Sequence, residues 1–384
     1  MIIIQGYFCN GSLDSPEILK IIVIGTECWT FEKFRGTLLR NLVLDGHEIL
    51  AIGSDFNSES FKFLESIGVK YYEVSFAKSR FHLLSIFTSL TKIKKIYFDF
   101  KPDACLAFFL KPIFIATLVK LFIRFKLVSL VEGLGHPFSL DSNKYSRTLF
   151  RLIMKTVLFY SNHIVFLNQD DKNELLPNCS NNNRNSILSG IGVDVTYYKS
   201  KNVPPLPVKF LFLSRLLKSK GLIDYIDAAT ILKRIHKYCE FNVYGKLDYS
   251  VHGVSENLIN SAHNKGVIYY GGLVHDVRDV IKRSHVLVLP TYYREGLPRC
   301  IQESMSMGKP VITTKYAGCS VIIQDKVNGI IVKPKDVENL VESMKWFCEN
   351  TDKLNSMRYE CRTTALKYFD SKKVDRTIIK IITK

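Results

Sequence analysis

Residues 286–314 read VLVLPTYYREGLPRCIQESMSMGKPVITT. The stretch opens with a continuous apolar run ending at Pro290, as expected of a strand covered on both faces of a sheet. A loop follows, and Gly296-Leu297-Pro298 opens a helix expected to run to about Met307. Pro298 suits the first helical turn, where its missing N–H is not needed. The amides of Gly296, Leu297 and the first turn are then expected to lie free at the strand ends. A helix N-terminus in that position suits an anion such as a diphosphate. Glu295 in the loop and Glu303 in the helix stand eight residues apart. Such carboxylates can accept two hydrogen bonds from a diol, a ribose or a hexose. By spacing alone, two unrelated surface glutamates explain the pattern better.

Phe210–Ala229, FLFLSRLLKSKGLIDYIDAA, repeats the order of strand, loop and helix, with Arg215 and Lys220 in the loop and a helix from about Gly221. Two cations beside a helix start can neutralise a diphosphate, Arg as a planar fork and Lys as a point charge. Ordinary exposed cations are the alternative. Further strand-like runs are Ile21–Ile24, Glu48–Ile52, Ala104–Phe109, Leu127–Val131, His163–Leu167, Glu240–Tyr244, Val267–Tyr270, His285–Leu289 and Pro310–Thr313. Helical spacing appears in Phe34–Asp45, Leu222–His236 and Val337–Glu349. The alternation predicts an α/β fold of βαβ units on parallel sheets.

Near the middle, a polar run at Asn181–Asn185 and KNVPPLPV at Lys201–Val208 predict a stiff, extended linker. The chain then divides into domains 1–200 and 201–384, each long enough to be doubly wound. Ligands in such folds sit at the carboxyl ends of the strands, so two facing domains make a cleft. The tail near 369–384 follows the second core and is expected to pack back on the first domain.

Of the 384 residues, 53 are Lys or Arg and 36 Asp or Glu, a formal charge of +17. That excess suggests an anionic partner. A composition 47% hydrophobic and 23% charged is globular rather than disordered. Residues 78–155 hold fourteen basic against four acidic residues. They suggest a basic surface suited to anionic lipid headgroups, with a solvated lysine face as the alternative. Nine scattered cysteines without a CxxC pair argue against a zinc site or disulfide framework and for a reducing cytosol, where the sequons at Asn10 and Asn178 would be silent. Neither a secretory signal nor a clean membrane span is visible; Leu106–Ile123 is interrupted by Lys111, Pro112 and Lys120.

The Glu295/Glu303 element, with REGLPR, ESMSMGKPVI, Gly318-Cys319 and DKVNGIIV around it, resembles the E-x7-E region of family 4 glycosyltransferases, which have the GT-B architecture. Arg215 and Lys220 look like that family's R-x4-K pair. Similar echoes are VYGKLD with Gly245, YYGGLVHDV with Val274, and ILSGIGVDVTYY. FRGTLLRNLVLDGHEI and VFLNQDDKNEL resemble members that extend lipid-linked oligosaccharides of O-antigen and capsule. The resemblance runs from about Ile21 to the C-terminus and is stronger in the second domain. Residues 1–20 precede the expected first strand, either as an extension or from an upstream start codon.

The resemblance implies a metal-independent, retaining glycosyltransferase without a cofactor. It would use a nucleotide diphosphate sugar and a polyprenyl diphosphate-linked saccharide at the inner face of the cytoplasmic membrane. Glu295 would hold the transferred sugar's hydroxyls and Glu303 the ribose. Arg215, Lys220, Gly296 and Leu297 would meet the diphosphate, and Gly245 and Val274 the base. No Asp-x-Asp occurs in the sequence. Retention usually calls for a carboxylate nucleophile; family members are thought instead to deliver the acceptor on the leaving-group face, the departing phosphate taking its proton.

Two departures stand out. IGTECWTF has only Gly25 where many members carry Gly-Gly on the acceptor side, and VSLVEGLGHPFS places Glu132 where many carry a His, with His136 four residues later. Glu132 can accept a hydrogen bond from acceptor or sugar, or simply cap loop amides; His136 reads more readily as a plain loop histidine. Rival readings are a GT-B sugar-nucleotide epimerase, a transferase with a soluble acceptor, a nucleic-acid binder, a dehydrogenase and a catalytically dead scaffold. The nucleic-acid binder lacks zinc spacing, a helix-turn-helix cue or an RNP-like run. Gly133-Leu134-Gly135 is no GxGxxG, which weakens the dehydrogenase. Both glutamates and both cations are present, which disfavours the scaffold.

Overall fold

A computed structural model describes residues 17–74, 83–177, 183–200, 202–316 and 318–384, without the side chains of 83–89. Asn10, Asn178, Cys9, Cys179, Lys78, Arg80 and Lys201 lie outside the described residues. Among the described residues thirteen strands form two sheets, and every pairing between them is parallel. The first sheet holds β1 (Lys20–Glu27), β2 (Glu48–Ser54), β3 (Lys70–Glu73), β4 (Ala104–Phe108), β5 (Lys126–Val131), β6 (His163–Phe166) and β7 (Asn185–Ile187), in the order β3-β2-β1-β4-β5-β6-β7. The second holds β8 (Lys209–Leu213), β9 (Glu240–Tyr244), β10 (Tyr269–Tyr270), β11 (Val286–Leu289), β12 (Val311–Thr314) and β13 (Gly329–Val332), in the order β10-β9-β8-β11-β12-β13. The helices of the first half are α1 (Trp29–Leu44), α2 (Ser58–Ser66), α3 (Leu83–Phe100), α4 (Leu110–Lys120), α5 (Lys144–Phe159) and α6 (Gln169–Leu175). Those of the second are α7 (Leu222–Ile235), α8 (Glu256–Asn264), α9 (Arg278–Lys282), α10 (Arg299–Ser306), α11 (Val337–Glu349), α12 (Leu354–Tyr368) and α13 (Ser371–Thr383).

Strand side chains alternate between the two faces of a sheet, and the first sheet has a core on each. Ile22, Ile24, Cys105 and Leu127 point into one core, with residues of α3, α4 and α5. Ile21, Val23, Leu106 and Val128 point into the other, with α1. Burial on both faces explains why these strands read as unbroken apolar runs. The second face is completed from far along the chain: Val374, Ile378 and Ile382 of α13 belong to it, and Lys126 Nζ donates to the carbonyl of Ile381 at 2.6 Å.

The expected strands all appear, with ends shifted by up to three residues; β10 is shorter than Val267–Tyr270. Two edge strands were not among the expected runs: β3 (KYYE), largely exposed, and β7 (NSI), half-buried, while β13 covers the GIIV of DKVNGIIV, expected as a strand and turn. Edge strands have one unpaired side and need no apolar alternation to hold them. No helix of the described residues is long and apolar enough to cross a membrane.

Candidate functional site

In the second sheet the strand order reverses between β8 and β11, the switch point beside which open α/β sheets bind ligands. The loop after β8 carries Arg215 and Lys220, and the loop after β11 carries Glu295. Backbone and side-chain bonds tie them together: Tyr292 N–H and the Thr291 hydroxyl donate to the Ser219 carbonyl at 2.8 and 3.0 Å. Gly221 starts α7 at φ 77°, and a Cβ there would lie 2.2 Å from the Pro290 carbonyl oxygen. Only glycine lets the loops approach this closely. Across the junction, Lys220 Nζ lies 2.5 Å from Glu295 Oε1, and both side chains are largely buried. The ammonium also sits 5.2 Å from the centre of the Tyr293 ring. Arg215 is exposed at the end of β8, and no hydrogen bond or ion pair engages its guanidinium among the described residues. It does help the Ser250 hydroxyl to hold the Asp248 carboxyl low.

α10 begins at Arg299, with Pro298 as its cap residue rather than in its first turn. The Gly296 amide, expected to be free, instead donates to the Glu132 carbonyl of the first domain at 3.2 Å. The amides of Leu297, Arg299 and Cys300 meet no acceptor among the described residues, and they leave an anion cradle beside Lys220. Glu303, buried one turn further on, accepts from Arg299 Nε at 2.9 Å and from the Tyr198 hydroxyl. Burial pushes its carboxyl up, while Arg299 and Tyr198 oppose that. The thiol of Cys300, half-buried, is raised by desolvation and then by the charge of Glu295, with Glu303 contributing too, so both glutamates act on one thiol. A cavity of about 390 Å³ lined by Tyr197, Asp276, Arg278 and Met307 lies at the opposite end of α10, away from this cradle.

The first domain closes over the same loop. Gly135 N–H donates to the Arg294 carbonyl at 2.9 Å, and Asn168 Nδ2 to the Gly296 carbonyl at 2.9 Å. The Arg294 guanidinium crosses back to Asp171 at 2.8 Å. Gly133 has φ 114°, and a Cβ there would lie 2.6 Å from the Gly296 nitrogen. Glu132, at the end of β5, is paired with the fully buried Arg35 of α1. Burial raises the Glu132 carboxyl, and Arg35 opposes the rise. Arg35 also lies over the Phe108 ring, 5.3 Å from its centre.

The remaining candidates are more scattered. His136 packs its ring 4.1 Å from that of His252 in the second domain. Gly25 lies within β1, where a Cβ would meet the Phe108 ring at 2.4 Å. Gly245 follows β9 and donates to the Gly272 carbonyl at 2.9 Å, and Val274 is half-buried against the second core. Glu295, Lys220, Gly296, Leu297 and, through its backbone, Glu132 therefore meet at the interdomain junction. Gly245, Val274, Gly25 and His136 stand around it.

Sequence reasoning missed Arg35, Arg299, Tyr198 and Asp375. Asp375 on α13 is buried, and its carboxyl is pushed up to about 7 by burial against the pull of Arg35. A basic residue on the apolar side of α1 was the one available signal for Arg35; its partner lies 97 residues away.

Residues 196–364 match the family of glycosyl transferases group 1. The N,N'-diacetylbacillosaminyl-diphospho-undecaprenol alpha-1,3-N-acetylgalactosaminyltransferase of Campylobacter jejuni is 24% identical over 328 residues, covering 79% of this chain and 83% of that one. A putative colanic acid biosynthesis glycosyltransferase of Salmonella typhimurium, WcaL, is 24% identical over 51% of this chain and 50% of its own. Among solved structures, Anabaena Alr3699/HepE in complex with UDP superposes with a TM-score of 0.75 at 15% identity, over 95% of this chain and 100% of that one. A glycosyltransferase from Rickettsia africae does so at 0.73 and 17%, over 95% and 98%.

Proposed function

From the match of residues 196–364 to the glycosyl transferases group 1 and the GT-B architecture, we propose that this chain is a retaining enzyme of that group that moves a hexose or N-acetylhexosamine from a UDP-linked donor to a lipid-linked saccharide of a bacterial surface polysaccharide. The observation that carries this reading is the Lys220–Glu295 pair at the switch point, beside the open amides of α10.

The donor's diphosphate takes the Lys220 ammonium, the Arg215 guanidinium and the amides of Leu297, Arg299 and Cys300. These charges and dipoles are in place before the reaction, so they stabilise the leaving group without reorganisation. Glu295, released from Lys220, accepts from hydroxyls of the transferred sugar, and Glu303 accepts from the ribose. The bond from C1 to the diphosphate oxygen breaks, and C1 bonds to the acceptor hydroxyl on the same face. The acceptor's proton passes to the departing phosphate oxygen, leaving UDP. Glu132, held by Arg35, faces the acceptor.

The acceptor class draws support from the Campylobacter relative, whose name specifies a diphospho-undecaprenol-linked saccharide. Such an acceptor places the enzyme at the inner face of the cytoplasmic membrane, on an anionic surface. The test supplies labelled UDP-N-acetylhexosamine with a polyprenyl diphosphate-linked saccharide. Label in the organic phase, in a linkage of the donor's anomeric configuration, supports the proposal. Transfer to soluble saccharides alone, or an inverted linkage, counts against it.

A further inference from the structure

α5 has two apolar faces, and the fold uses one. Met154, Val157 and Leu158 are buried against the first domain's core. On the opposite side Tyr145, Leu149, Leu152 and Phe159 are 88%, 61%, 64% and 71% exposed, with Ile153 between them at 39%. At 3.6 residues per turn, positions 145, 149, 152, 153, 156 and 159 fall within about 120° of arc. Thr156 is the one polar member of that stripe. A solvent-facing side of a helix ordinarily carries polar residues; a continuous exposed apolar stripe marks a contact surface.

One flank between the two faces is basic, with Lys144, Arg151 and Lys155, while Arg147 lies towards the covered side. Glu174 faces part of it, 2.5 Å from Arg147 and 3.8 Å from Arg151. Lys144 and Lys155 have no acid within reach among the described residues. The adjoining end of α4 exposes Leu121 and Phe122, with the Lys94 ammonium 3.9 Å from the centre of the Phe122 ring. Lys92, Lys95, Lys101 and Arg124 are exposed nearby, with Asp99 and Asp103 as exposed acids among them.

We propose that this face of α5 docks on a bilayer carrying anionic headgroups. Tyr145, Leu149, Leu152 and Phe159 enter the interfacial region, and the basic flank meets the headgroup phosphates. Charge selects this occupant over a second copy of the chain, because a self-complementary contact would set Lys144, Arg151 and Lys155 against like charges. The aromatic residues at the two ends of the stripe suit the boundary between headgroups and acyl chains. The inference deepens the lipid-linked acceptor reading, and it gives that reading an orientation. α5 is about 24 Å long, and its first turns adjoin the loop that closes the cleft: the Arg147 guanidinium lies 5.8 Å from the centre of the Phe138 ring. With α5 flat on the membrane, the cleft opens beside the headgroups. A lipid-linked diphosphate then reaches it while its tail stays in the bilayer.

The experiment is co-sedimentation of the full-length protein with phosphatidylglycerol-containing or pure phosphatidylcholine vesicles. The variant Leu149→Ser/Leu152→Ser/Phe159→Ser is expected to lose about a hundredfold in affinity for the anionic vesicles. Lys144→Gln/Lys155→Gln is expected to lose about thirtyfold, and its binding should respond less to salt. Tyr238→Ser/Tyr249→Ser, exposed on the second domain, should bind as the parent does. Unchanged UDP binding and thermal unfolding establish that each variant is folded. Parent-like sedimentation of the triple variant overturns the proposal. So does a dimer, seen by light scattering, that the triple variant splits, since the stripe would then belong to a second copy. A chain that glycosylates soluble acceptors alone would fail the transfer assay and could still pass this one, so the two readings fail separately.

Discussion

Lys220 has two duties in the proposed mechanism, and they can be separated. Its ammonium is 9% exposed and sits 2.5 Å from a Glu295 carboxylate that is 15% exposed. Lys220→Met leaves that carboxylate largely buried without its cation. Breaking a fully buried pair costs about 3–5 kcal/mol; the residual exposure of Glu295 brings this down to roughly 2–3 kcal/mol. For a domain of this size that is a fall of about 4–12 °C in melting temperature. Lys220→Met/Glu295→Gln removes both charges and should recover most of the loss. Nucleotide binding should not recover. A unit charge about 4 Å from a phosphate gives roughly 4 kcal/mol at an effective dielectric constant near 20. Part of this offsets desolvation, and a net loss of about 2 kcal/mol corresponds to roughly a thirtyfold rise in Kd for UDP. Differential scanning fluorimetry measures the first quantity and titration calorimetry the second. A double variant that regains stability and binds UDP as tightly as the parent would refute the assignment of Lys220 to the diphosphate.

Three further outcomes are expected. Glu303→Gln keeps the side chain's shape beside Arg299 and should weaken UDP binding by about 1–3 kcal/mol through loss of a charged acceptor; unchanged affinity in calorimetry argues against its ribose role. Asp375, with its acid form favoured by burial up to about 7, contributes stability that is complete below its ordinary value and lost as pH rises through about 7. The stability of Asp375→Asn relative to the parent should therefore grow between pH 5 and pH 8, by up to about 3 kcal/mol, and a flat difference in denaturant midpoints contradicts this. Gly133→Ala puts a Cβ 2.6 Å from the Gly296 nitrogen at φ 114°; it should open the domains, raising the radius of gyration in small-angle scattering and slowing turnover with donor saturating.

Local patterns and long-range contacts divide the account of this site. The strand–loop–helix at Val286–Met307 and the loop of Arg215 and Lys220 were readable because each is a contiguous unit with its own turn chemistry. Their convergence follows from strand order: β8 and β11 are neighbours although 72 residues separate the end of one from the start of the other. The expectation of a free Gly296 amide failed because its acceptor belongs to the other domain. Arg35 could be seen as an odd basic residue in α1, but nothing local says that it meets Glu132. The period of α5 is visible in its letters, whereas which of its two apolar sides is covered depends on α4 and the sheet.

By itself the amino-acid sequence determined the alternation of strands and helices, the α/β plan of two sheets, the two strand–loop–helix units that carry Lys220 and Glu295, and the excess of basic residues, since all of these are set by residues close together in the chain. The tertiary structure alone decided that Lys220 sits on Glu295, that the first domain caps α10 through Glu132 and Gly133, that α13 completes a core begun at Ile21, and that one apolar face of α5 is left bare. Each of these depends on segments brought together only when both sheets are assembled, where burial strengthens a charge pair or exposes an unmatched face according to what has packed against it.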